Sequence, residues 1–84
     1  MITHVAIIHH GKTYSLPSPK RHSDVIFAIA TETGVASVDG EQGFLDDRGT
    51  FLNRKEALAH ALRCGQVKDP AAIRAGILFS EDVW

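Results

Sequence analysis

The sequence predicts a small single α+β domain over residues 1–84: a β-hairpin, a helix, a second β-hairpin, a second helix and a short C-terminal element. Three observations predict it. Short apolar runs are joined by glycine-containing turns at His10-Gly11 and at Asp46-Asp47-Arg48-Gly49. Two segments with helical apolar spacing each follow a capping signal and stop at a glycine, Gly34 or Gly65. The signals run β-β-α-β-β-α, with no internal repeat, linker or low-complexity stretch.

Thr3 to His9 predicts the first strand. Val5, Ala6, Ile7 and Ile8 are all apolar, as in a strand covered on both faces. His10-Gly11 suits a two-residue turn, because glycine takes positive φ cheaply and histidine is enriched there among other residues. Lys12 to Leu16 returns as strand two, with Tyr14 and Leu16 on one face. Ser18-Pro19 reads as an N-cap followed by a first-turn proline, which predicts a helix from Pro19 to about Thr33. Val25 to Ala30 make that helix apolar nearly all round, so it should be buried under a sheet or at a subunit contact. Val35 to Val38 is a weak strand candidate before the Asp39-Gly40 turn. Gln42 to Leu45 and Thr50 to Leu52 predict the second hairpin, closed by a type I turn with Gly49 in the left-handed region. Asn53 with Glu56 three residues on forms a capping box for a helix whose stripe is Ala57, Leu58, Ala61 and Leu62. Cys64 is expected on its inner face. Asp69-Pro70 predicts a short helix to about Ala75, and Ile77 to Phe79 a final strand before the Ser80 to Trp84 tail.

An 84-residue chain can bury one small core but is marginal alone, so a homo-oligomer is expected. A single cysteine excludes an internal disulfide framework. The longest apolar run, Val25 to Ala30, is far short of a membrane helix, and no basic region precedes a long apolar one near the N-terminus. No membrane association, no signal peptide and a cytoplasmic location are expected. Net charge is −1, yet the first 23 residues hold Lys12, Lys20, Arg21 and four of the five histidines without an acid. Such an end can attract anions. Duplex DNA is disfavoured, for want of a broad Lys/Arg face.

Three groups are candidate sites. Lys20, Arg21 and His22 in the expected first turn would meet the positive end of a helix, where N–H groups and an arginine fork suit phosphate. The bland alternative is a solvated turn. His9, His10 and His22 match no zinc-ligand spacing, and neighbouring strand residues point to opposite faces, so no metal and no cofactor are expected. His10 is a candidate to hydrogen-bond a ligand. Trp84 could stack on a base, as could Tyr14, or Trp84 could dock into the core or a neighbouring subunit. Glu81 and Asp82 could meet Arg21 or Arg54 across a cleft.

Three pieces carry a resemblance. They are YSLPSPKRHSDVI (Tyr14 to Ile26), EQGFLDDRGTFLNRKEALAHALRCGQV (Glu41 to Val67) and LFSEDVW (Leu78 to Trp84). In this order they resemble a group of small, mostly uncharacterised proteins encoded by bacteriophages and prophages, with a G-F-x-x-x-x-G-x-F-x-x-R-x-E-A core pattern. The resemblance implies a phage origin and a location in the host cytoplasm. It supplies no catalytic residue. Small phage proteins of this kind often counter host defences, by capturing a nucleotide signal or by binding a host protein.

Three functions follow, in order. The first is a binding module that sequesters a small phosphorylated nucleotide without catalysis, through Lys20, Arg21, His22, His10, Tyr14 and Trp84. The second is a protein-binding inhibitor of a host defence complex. The third is a small phosphoesterase using His10 or His22 as general acid/base; it ranks last because no base and nucleophile stand at a recognisable spacing.

Overall fold

The computed structural model describes residues 1–73 and 76–84. Strand β1 (Ile2–His9) and strand β2 (Lys12–Pro17) form the first hairpin, followed by helix α1 (His22–Thr33). Strand β3 (Glu41–Asp46) and strand β4 (Phe51–Asn53) form the second, followed by helix α2 (Arg54–Arg63). Two single 3₁₀ turns, Pro70–Ala72 and Ser80–Asp82, complete the chain. The α+β class and element order match the expectation.

All strands are antiparallel, in the order β2-β1-β3-β4. Register sets one face of the sheet. Val5 lies opposite both Leu16 and Phe44, Ile7 opposite Tyr14, and Phe44 opposite Leu52. Directly opposed residues share a face. Val25 and Ile29 of α1 and Ala57 and Ala61 of α2 join Val5, Ile7 and Phe44 in one apolar cluster, so both helices cover that face. The other face carries Ile8, Leu45 and Phe51, all half-buried. On that face β1 places Ala6, fully buried, and Ile8, half-buried, so the strand is covered on both faces, more lightly on the outer one.

Turn and cap chemistry was well signalled. His10 and Gly11 take φ of 50° and 78°, the double positive φ of a type I′ hairpin. Gly49 is left-handed at 79°, and Asp46 Oδ1 accepts from the Arg48 and Thr50 amides at 2.9 Å. Asn53 Oδ1 accepts from the Glu56 amide at 2.8 Å while Glu56 Oε1 accepts from the Asn53 amide at 3.0 Å. Asp69 Oδ1 caps the first 3₁₀ turn through the Ala71 amide, 3.2 Å.

Five expectations are corrected. Helix α1 starts at His22, three residues later than expected, and Arg21 is its N-cap. The preceding residues spend their donors elsewhere: Ser18 N–H bonds the Thr3 carbonyl and Lys20 N–H the Pro17 carbonyl, both at 3.0 Å. α1 is not buried all round, since Phe27 points away from the sheet and is 73% exposed. Val35 to Val38 is loop. Cys64 is exposed at the C-cap of α2. Ile77 to Phe79 is irregular, because the Leu78 amide and carbonyl both bond to Arg54 of α2, not to a strand. The expected end of the Asp69-Pro70 helix, Ala75, lies outside the described residues.

The C-terminal segment is held at several points. Gln66 acts as a strand surrogate, its Oε1 accepting from Ile2 N–H at 2.8 Å and its Nε2 donating to the Ile2 carbonyl at 2.7 Å. Lys68 N–H donates to the Asp82 carbonyl at 2.8 Å. Val67, Leu78 and Val83 enter the core.

Candidate functional site

The start of α1 and the tail meet at one corner of the sheet. Trp84 folds back across the chain, and its indole Nε1–H donates to the Lys20 carbonyl at 2.8 Å. Its ring meets Phe44 edge-on, with centroids 6.4 Å apart. Both uses foreseen for Trp84 were docking or stacking; it is docked, half-buried, with the polar end of the indole satisfied as a buried tryptophan requires.

Arg21 lies beside it. Its Nη1 reaches Ser80 Oγ at 3.5 Å and Glu81 Oε2 at 4.0 Å, both long contacts. The foreseen meeting of Arg21 with Glu81 is therefore present but loose. The positive end of α1 already has an anion of its own: Asp24 Oδ2 accepts from the Arg21 amide at 2.8 Å. Lys20 stands in the turn before the helix, not in its first turn.

His22 is the one basic residue inside the first turn, and it faces inward. Its Nε2–H donates to the Gly43 carbonyl at 2.7 Å, and its ring stands edge-on to Phe44 at 4.9 Å and 88°. Burial holds this imidazole below its ordinary pKa of 6.5, and the nearby Arg54 charge works in the same direction. The unfolded chain therefore takes up a proton near pH 6.5, which the folded chain resists until lower pH. The contribution to stability is complete above that value and declines as pH falls through it. Urea midpoints measured at pH 7.5 and 5.5 should fall on acidification, and His22→Gln should flatten the fall. An equal fall in the variant would assign the effect to other histidines.

Arg54 ties the corner together. Nη1 donates to the Leu78 carbonyl at 2.7 Å, Nη2 donates to Gln42 Oε1, and the guanidinium lies 4.9 Å from the Phe79 ring centroid. Burial lowers its pKa, partly offset by Glu81 and Asp82. The sequence places Arg54 in a helix first turn and offers it to Glu81 or Asp82 as a partner across a cleft; its hydrogen bonds go instead to Leu78 and Gln42. Its role depends on the Leu78 carbonyl, 24 residues away, for which the sequence carries no signal.

His10 and Tyr14 lie elsewhere. Lys12 Nζ bonds Glu32 Oε2 at 3.4 Å and lies over the Tyr14 ring at 4.7 Å, which puts the hairpin tip beside the C-terminal end of α1. Tyr14 has its pKa raised chiefly by its hydrogen bond to Glu32. Helix α1 has 12 residues and is about 18 Å long at about 1.5 Å per residue. Of the six residues named from sequence, Lys20, Arg21, His22 and Trp84 come together, and His10 and Tyr14 stand a helix length away.

The chain matches the phage T4 y16D protein family over residues 1–84. The chain belongs to that family. No curated protein and no solved structure matches it. Membership of the y16D family agrees with the phage resemblance read from sequence and carries no assigned chemistry. Many pattern positions in this y16D family member have structural tasks: Gly43 under Phe51, Phe44 in the core, Gly49 in the turn, Arg54 on the tail, Glu56 in the cap and Gln66 on Ile2. Among the described residues, no helix is long and apolar enough to cross a membrane.

Proposed function

We propose that this phage protein is a non-catalytic binding protein that sequesters a small phosphate-bearing nucleotide and so antagonises a host defence. The observation that carries the proposal is Arg21, whose guanidinium is partly exposed and held only by long contacts, next to Lys20 and Trp84. A phosphate can displace the 4.0 Å Glu81 contact and take the arginine fork with two charge-assisted hydrogen bonds. Lys20 adds a second cation. Trp84 is half-buried, and the part of its ring left open would stack on the base. A second copy of the chain would enclose the ligand, since these groups lie on an open surface. His22 serves by holding α1 to β3, not by touching phosphate.

A second reading, a protein-binding inhibitor of a host defence complex, is favoured by Phe27, an aromatic that turns away from the core. One set of measurements separates the two. Thermal unfolding with cyclic nucleotides, cyclic dinucleotides and ADP-ribose derivatives should show a rise in Tm with at least one of them. Arg21→Ala should weaken that binding at least about tenfold, the effect of losing one charge-assisted hydrogen bond. No shift with any nucleotide sinks the first reading. Stoichiometric capture of one host protein, lost in Phe27→Asp and kept in Arg21→Ala, establishes the second.

A further inference from the structure

The tip of the first hairpin gathers side chains that the corner described above does not use. Alternation along a strand would send His9 and His10 to opposite faces. His10 escapes that rule because it has left the strand: its φ is 50°, in the left-handed region. The ring consequently lies back on His9, stacked with centroids 4.0 Å apart and planes 13° apart. The pairing of β1 with β3 brings in a third group. Ile8 pairs with Glu41, so the residues just beyond, His9 and His10 on one side and Gly40 and Asp39 on the other, continue alongside each other. Gly40 permits the approach. It has φ 144°, and a Cβ there would run into the Ile8 carbonyl oxygen.

The three side chains cluster at the tip, and the exposed His10 ring has only to turn out of its stack for both imidazole lone pairs to meet one ion. His9 is 3% exposed, and its Nδ1–H donates to the Asp39 backbone carbonyl at 2.6 Å. That same nitrogen is 3.6 Å from Asp39 Oδ1, and His10 Nε2 is 3.8 Å from the same oxygen. One ligand atom from each of the three lies within 4.8 Å of the others. A tetrahedral zinc ion about 2.0–2.1 Å from its ligands holds them roughly 3.4 Å apart. Both measured nitrogen–oxygen separations are close to that spacing.

We propose that His9, His10 and Asp39 bind one divalent ion of the zinc class, with a fourth coordination position open to water. Two imidazole nitrogens select Zn²⁺, Co²⁺ or Ni²⁺ over Ca²⁺ and Mg²⁺, which prefer all-oxygen shells. Asp39 supplies negative charge, and the exposure of His10 and Asp39 supplies the entry path. Ligation through His9 Nδ1 uses the neutral tautomer with its proton on Nε2, so the Nδ1–H bond to the Asp39 carbonyl is given up and the imidazole keeps its one proton. Lys12 is the neighbouring cation, paired with His9 across the hairpin, but its ammonium is turned toward Glu32 and the Tyr14 ring.

The test is a Co²⁺ titration of the full chain followed by visible absorption. Zn²⁺ calorimetry accompanies it. One saturable ion per chain is expected. His10→Ala and Asp39→Asn alter residues that are 75% and 87% exposed, so both should keep the wild-type circular dichroism. Each should weaken binding at least about tenfold, since even partners outside the ligand set cost that much. A rival grouping exists at the Met1 amine, 3.0 Å from His60 Nε2 and 3.6 Å from Asp47 Oδ1. His60→Ala should leave binding unchanged. Absence of saturable binding, equal binding in the hairpin variants, or loss in His60→Ala would each overturn the proposal.

Discussion

Phe44→Ala is expected to remove a large share of the stability of this domain. Phe44 is fully buried at the centre of β3, between the sheet and both helices, and it meets His22 and Trp84 edge-on. Truncating a buried phenylalanine costs about 3–5 kcal/mol, combining lost transfer energy with the cavity left behind. At roughly 0.05–0.15 kcal/mol per residue, a domain of this length holds about 4–13 kcal/mol in all. The alanine variant should therefore have a much lower urea midpoint, with Trp84 emission shifted toward that of a solvated indole. Phe44→Leu keeps most of the volume and should cost clearly less. An alanine variant within about 1 kcal/mol of wild type would place the core elsewhere.

Gly43→Ala should be nearly as damaging, for a different reason. A Cβ at Gly43 would meet the Leu52 carbonyl oxygen and would come within 2.6 Å of the Phe51 ring. The ring can swing aside, but the carbonyl belongs to the paired strand. β4 must move off β3, which disturbs the Asn53 cap and with it the start of α2. The cost is expected at the upper end of overpacking, about 3 kcal/mol. That corresponds to a Tm lower by roughly 12–24 °C for a domain of this size. Adding Phe51→Ala to Gly43→Ala separates the two obstacles. The ring's share is relieved and the carbonyl's is not, so rescue should be partial. Full rescue would mean that the backbone approach is unimportant.

Local chemistry was legible in the sequence, and long-range placement was not. The His10-Gly11 and Gly49 turns, the Asn53–Glu56 cap and the Gly34 and Gly65 stops are written in adjacent residues, and all are present. The start of α1 was misplaced because Ser18-Pro19 offers the same letters as a cap. The residues there turn back to Thr3 and Pro17, which no local pattern reveals. Phe27 reads as core by composition and is outward because one helical face was enough to cover the sheet. At the corner, the basic trio was legible as a cluster, but the inward turn of His22 depends on the Gly43 carbonyl of another strand. The hairpin tip was misjudged by treating His10 as a strand residue. The same His10-Gly11 letters that predict a type I′ turn imply positive φ at His10, and that signal was available. The presence of Asp39 was not, because it needs the β1–β3 register.

The centre of this sheet is the pairing of β1 with β3, and that pairing has a kinetic consequence. Each hairpin can close on its own turn within microseconds. The β1–β3 contact spans the whole of α1 and its flanking loops, so its closure entropy must be met before any cross-strand contact repays it. Docking of the two hairpins is therefore the step expected to limit the folding rate. Until it occurs, β1 would present its aliphatic run with one edge unpaired, and Phe44 on the other hairpin would lack its core partners. A newly made chain is most open to association with other copies in that interval, and the rate of docking sets how long the interval lasts.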